Sequence, residues 1–216
     1  MDTPIKLPVL GTTQIRVLGA LIEKSKTTPD YYPMTLNGLA SACNQKTSRK
    51  PVVQYDDSTI TTALNSLKIA GLISTATGGS IRNIKYKHNF AIVFPVLPSE
   101  VAIMCLLFLR GPQTPGEINT NSGRLYEFET LEEVNQTLEK LASEGYIKQL
   151  PKRPGQKEQR YMHLFSGDVE FNEDDFATDE ILYKSNNQLE ERVTKLETEL
   201  AELKENFDKL MKELMG

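Results

Sequence analysis

Asp56-Asp57-Ser58-Thr59-Ile60-Thr61-Thr62-Ala63-Leu64-Asn65-Ser66-Leu67-Lys68-Ile69-Ala70-Gly71-Leu72-Ile73-Ser74-Thr75-Ala76 decides the fold. Asp56 is a residue type that caps a helix, and its charge suits the positive N-terminal end. Ile60, Leu64 and Leu67 recur at the spacing of one apolar helix face. Gly71 is placed to stop that helix in a left-handed conformation. Leu72 to Ala76, Gly78-Gly79, then Ile81 to Phe90 read as strand, turn and strand, with Arg82, Lys85 and Lys87 on the returning side. A helix, a Gly stop and a basic hairpin form the C-terminal half of a winged-helix module.

The pattern occurs twice. Leu138, Leu141, Gly145 and Ile147 match Leu64, Leu67, Gly71 and Ile73 at an offset of 74 residues, which becomes 75 at Tyr86 and Tyr161. Ahead of the first copy, Leu10 to Lys24 predicts a helix with Ile15, Leu18, Leu21 and Ile22 on one face, and Thr35 caps a second helix. Asn44 to Val53 is polar, basic and ended by Pro51, so it reads as a loop. Ahead of the second copy, Pro98-Ser99-Glu100 opens a helix apolar nearly all round, which should be central and packed on both sides. Thr114-Pro115-Gly116-Glu117 and Thr130-Leu131-Glu132-Glu133 carry capping-box patterns. Neither copy can bury much alone, so tight packing between them is expected.

Charge divides the chain. Residues 1–95 hold 11 Lys and Arg against 5 Asp and Glu, a net of +6; residues 96–167 hold 8 against 9; residues 168–216 hold 6 against 15, a net of −9. A polyanion would therefore meet the first third, because an electrostatic footprint need only be local. After an acidic linker, 168–180, Leu182, Leu189, Leu196, Leu203 and Leu210 recur every seven residues, with Asn186, Val193, Leu200 and Phe207 between them. This alternation predicts a coiled coil over 181–216 and a homodimer, the alternative being a helix folded back on its own domain. The expected architecture is mainly α with small β-wings (α+β): two tandem winged-helix domains, 1–95 and 96–167, followed by the C-terminal coiled-coil helix.

No catalytic constellation emerges. His88 and His163 occupy matching places on returning strands and are explained by duplication, and with Cys43 and Cys105 they lack a short metal-ligand spacing. No metal and no cofactor is expected. Two cysteines imply a reducing compartment, no apolar run is long enough for a membrane span, and Met1 to Pro4 lacks a signal-peptide start, so a cytoplasmic protein is expected.

The nucleic-acid reading rests on the first copy. Ser58, Thr62 and Asn65 point away from the apolar face of the third helix, Lys46, Arg49 and Lys50 precede it, and Arg82, Lys85 and Lys87 lie on the wing. Hydrogen-bonding side chains can read a major groove while a basic rim holds phosphates. An ordinary solvated surface is the alternative. In the second copy the third helix is acidic (Glu129, Glu132, Glu133, Glu139, Glu144) and should not enter a groove, although its wing keeps Lys148, Lys152, Arg153, Lys157 and Arg160.

Thr27-Thr28-Pro29-Asp30-Tyr31-Tyr32-Pro33, Ala42-Cys43-Asn44-Gln45-Lys46-Thr47, Gln113-Thr114-Pro115-Gly116-Glu117, Tyr126-Glu127-Phe128 and Arg160-Tyr161-Met162-His163-Leu164-Phe165-Ser166-Gly167 resemble blocks of the bacterial YceH family. The resemblance covers residues 10–167. It implies a tandem winged-helix protein of the bacterial cytoplasm and supplies no catalytic residues. The leading expectation is a non-enzymatic, dimeric DNA-associated protein, a transcriptional regulator, contacting duplex DNA through its first winged helix. The alternative is a protein–protein adaptor without DNA binding. In logic it resembles the acidic tandem winged-helix subunits of bacterial chromosome-condensation complexes, and Ile69 on the outward side supports it.

Overall fold

The computed structural model describes residues 7–77, 84–152 and 158–167. Arg82, the acidic linker and the heptad positions Leu182, Asn186, Leu189, Val193, Leu196, Leu200, Leu203, Phe207 and Leu210 lie outside the described residues. The chain is mixed α+β. Its described elements are seven α-helices and two antiparallel hairpins, in the order α1 (Thr12–Thr27), α2 (Leu36–Cys43), α3 (Asp57–Ile69), β1 (Ile73–Thr77), β2 (Ile84–His88), α4 (Phe90–Val93), α5 (Pro98–Arg110), α6 (Pro115–Ser122), α7 (Leu131–Ser143), β3 (Ile147–Gln149) and β4 (Tyr161–His163). Three helices and a hairpin therefore occur twice in the same order, consistent with a winged-helix-like arrangement.

Local chemistry sets the helix ends. Thr35 accepts from the Gly38 amide and Asp56 from the Thr59 amide, each satisfying a donor that the first helical turn leaves unpaired. Thr114 and Glu117 form the reciprocal capping box. At Thr130 the box is incomplete: the hydroxyl accepts from Glu133 N at 3.1 Å, but the Glu133 carboxylate takes the Glu129 amide and the Tyr126 hydroxyl instead. Gly71 and Gly145 stop α3 and α7 at φ +74° and +79°. The next amides then bond back to the helices, Leu72 to Leu67 O and Tyr146 to Leu141 O, both at 2.9 Å.

The hairpins share a register, with Ile73 opposite His88 in one and Ile147 opposite His163 in the other. Each tyrosine of the returning strand also exchanges both backbone bonds with the residue just before a helix cap: Tyr86 with Met34, and Tyr161 with Gln113. Each hairpin thus gains a one-residue third strand that no local sequence pattern marks. The returning strand expected to reach Phe90 ends at His88. There the Asn89 side chain bonds Gly71 O and Ser74 Oγ, and Phe90 turns inward at the start of α4.

Residues Met1–Asp168 form one compact unit, and the two repeats share its core. Every α5 residue from Glu100 to Leu109 is buried, as an all-round apolar helix requires. Helix α1 crosses it at Gly19, where a Cβ would lie 3.0 Å from Leu109 Cγ and Phe108 Cβ, and Cys105 Sγ approaches Gly19 O at 3.5 Å. Phe90 and Phe94, from the connection between the repeats, pack with Phe108 and Phe165 at ring separations of 5.1–5.7 Å.

Candidate nucleic-acid interface

Helix α3 presents Ser58, Thr62 and Asn65 to solvent while Ile60, Ala63, Leu64 and Leu67 are buried. Beside this outer face runs an open groove of about 430 Å³, lined by Gly11 to Gln14 at the start of α1 and by Ser58, Thr59, Thr62, Ala63 and Ser66. The hydroxyls of Thr62 and Ser66 donate to carbonyls one turn back, leaving their lone pairs to accept. Asp56, fully exposed, is held below the ordinary carboxylate range by hydrogen bonds from Thr59 and Ser58, so a negative charge stands at the entrance to this face.

The basic residues divide into three groups. Lys46 and Lys87 are exposed, and Lys85 is half-buried on β2. Lys50 is half-buried, and its amide donates to Leu109 O at 2.8 Å, so the loop docks on the end of α5. Arg49 does not belong to the rim. Its side chain is 0% exposed and its guanidinium forks onto Glu23 at 3.0 and 2.5 Å, with further donation to Ala42 O and Ser48 O. A planar five-donor group satisfied on every side is a structural clamp. Burial alone would push the Glu23 carboxyl up, but the hydrogen bonds and charge of Arg49, with Lys24, outweigh it and hold it low.

Arg16 and Arg110, which no local sequence pattern marks, complete this clamp together with Asn44 of the loop. Arg16, 4% exposed, reaches Pro51 O at 2.6 Å and Cys43 O at 3.3 Å. Asn44 closes the loop by pairing its amide group with both backbone groups of Tyr55, each at 2.8 Å. Arg110 donates to Ser48 Oγ at 2.9 Å. One signal was available: Arg16 and Glu23 are seven apart, two helical turns, and so lie on one stripe of α1.

The predicted rim and the α3 face meet α1 at different places. The groove adjoins Gln14, whereas the Lys46 loop meets α1 at Glu23 and Lys24, whose ammonium lies 3.5 Å from Gln45 Oε1. Nine residues of helix put these points about 14 Å apart along α1. In the second repeat the positions 74 residues on from Ser58, Thr62 and Asn65 are Glu132, Gln136 and Glu139, all exposed. Lys140 on α7 is engaged by buried Glu100 at 2.6 Å, and Arg160 of the wing is forked onto Glu117 at 2.8 and 2.9 Å, so neither cation is free.

His88 and His163 hold matching strand positions and are structural. His88 Nε2 lies 3.1 Å from Ser25 Oγ, and His163 packs on Phe108 with ring centres 5.0 Å apart. Burial lowers both to about 4, with Lys26 adding to the effect at His88. Cys43 and Cys105 are buried free thiols raised by the same cause, Cys43 to about 12. Among the described residues no helix is long and apolar enough to cross a membrane.

Fold and surface define a mixed α+β protein of paired helix–hairpin repeats, with one polar and one acidic helix face at equivalent places. A family model described as "Protein of unknown function, DUF480" matches residues 10–156, and the chain belongs to that family, which is the YceH family of the blocks quoted above. It is 45% identical over 199 residues to a UPF0502 protein of Solibacter usitatus, covering 92% of this chain and 95% of the relative. It is similarly 42% identical over 209 residues to a UPF0502 protein of Pectobacterium carotovorum, covering 94% and 98%. A relative from Opitutus terrae is 46% identical over 166 residues, covering 76% and 72%. None of these names states an enzymatic activity.

Proposed function

We propose that the chain is a non-enzymatic DNA-associated protein, a tandem winged-helix regulator whose first repeat contacts duplex DNA through α3. The observation that carries this reading is the bare outer face of α3, where Ser58, Thr62 and Asn65 are exposed above a buried apolar face. Small hydrogen-bonding side chains of this kind suit base edges and phosphates in a major groove. Lys46, Lys85 and Lys87 serve as phosphate contacts, and Arg49 holds the Lys46 loop in place. The second repeat supports the first and does not enter a groove, because carboxylates at Glu132 and Glu139 would meet phosphates at a cost. The heptad segment 181–216 joins two copies.

The test uses the full chain and mixed-sequence duplexes at low salt. Charge reversal at Lys46, Lys85 and Lys87 should weaken binding and flatten its salt dependence, while Asn65→Ala should weaken it with the slope unchanged. Unchanged affinity in the triple variant rejects the reading. A protein-docking role is the second reading. Ile69 on α3 is 89% exposed, and the second repeat offers an acidic helix face. A stoichiometric protein partner, captured without nucleic acid and lost in Ile69→Lys, would favour it.

A further inference from the structure

The turn Pro29–Tyr31 belongs to none of the elements used above, yet it is the most exposed aromatic position of the first repeat. Tyr31 is 79% exposed. Its backbone is nevertheless well held: Tyr31 N bonds Thr28 O, Tyr32 N bonds Pro29 O, and Thr28 N bonds Lys24 O, all at 3.1 Å. The Tyr32 hydroxyl accepts the His88 amide at 2.7 Å, which fastens the turn to the end of β2. Exposed Lys87 is the neighbour of His88 on that strand, and exposed Lys26 stands in the last turn of α1, five residues before Tyr31. The Lys24–Gln45 contact brings the beginning of the Lys46 loop to the same end of α1. The acidic residues here are Asp30, exposed on the turn itself, and Glu23, consumed by Arg49.

We infer that Tyr31, on a turn fastened to the strand that carries Lys87, is a further duplex-DNA contact, its hydroxyl donating to a backbone phosphate oxygen. This inference rests on the DNA reading above. A tyrosine on a short pinned turn loses little freedom on binding, and Tyr hydroxyls are ordinary partners of phosphate. Exposed Lys26 and Lys87, on the two elements that flank the turn, supply the matching charge.

The experiment is fluorescence anisotropy of a labelled mixed-sequence duplex with the full-length protein, across a salt series. Tyr31→Phe should weaken binding about fivefold, the worth of one hydrogen bond, without altering the salt slope. Lys26→Gln and Lys87→Gln should each lower the slope by about one. Asp30→Asn, which removes an exposed carboxylate from the same turn, should tighten binding. An exposed side chain contributes little to folding, so thermal midpoints should not move. If the wild type binds and Tyr31→Phe binds equally well, the hydroxyl contact, and with it this inference alone, is overturned. Absence of salt-dependent binding by the wild type overturns the DNA reading and this inference with it.

Discussion

Arg49 shows how far one side chain's role depends on what surrounds it. Its position between Lys46 and Lys50 reads as part of a phosphate rim, but its guanidinium is wholly enclosed and forked onto Glu23. Removing one partner of such a pair leaves an uncompensated buried charge, so Arg49→Met should cost about 3–5 kcal/mol in urea unfolding. Glu23→Leu combined with Arg49→Met should cost less than Arg49→Met alone, and equal losses would count against the clamp. The histidines carry a pH signature. Each is near 6.5 when unfolded and about 4 when folded, because burial disfavours the charged ring. Between these values the unfolded chain binds more protons, so stability is full above pH 6.5 and falls steadily toward pH 4. His163→Phe should reduce that slope in unfolding curves taken at pH 7 and pH 5.

At the scale of elements, the decisive contact is α1 against α5. Gly19 permits it, since a Cβ there would meet Leu109 Cγ and Phe108 Cβ at 3.0 Å. Gly19→Ala raises helix propensity by about 1 kcal/mol, yet overpacking at a crossing costs about 1–3 kcal/mol. Phe108 Cβ is tied to the α5 backbone and cannot yield as a flexible tip could. The substitution should therefore lower the thermal midpoint, and an increase would show that the helices separate freely. The capped ends of α2, α3 and α6, the glycine stops and both hairpins were legible because each depends on neighbours within a few residues. The third-strand pairings of Met34 and Gln113 were not legible, because they join residues 52 and 48 positions apart (34 to 86, 113 to 161).

For the whole molecule, the shared core changes what can be cut. Residues 1–95 lack α5, against which α1 packs its buried face. Expressed alone, that fragment should show weakened tertiary structure and exposed apolar surface by dye binding. A cooperative unfolding transition matching the full chain would show the first repeat to be independent. Deleting residues 180–216 should convert a dimer to a monomer in sedimentation, because the heptad leucines lie there; an unchanged mass would place the interface elsewhere.

By itself the sequence determined the order of the longer helices and the two hairpins, their repetition, the segregation of charge and the family, all carried by short-range periodicity and punctuation; α4, where a strand was expected to continue to Phe90, it did not. Which basic residues face solvent was decided only by the tertiary structure. Local pattern marks Arg49 as polar, but its burial depends on Glu23, 26 residues away, and on a loop anchored to α5. The stretch from Asp56 to Ala76 specified a helix and the start of a hairpin; the fold determined that the face of this helix remained uncovered.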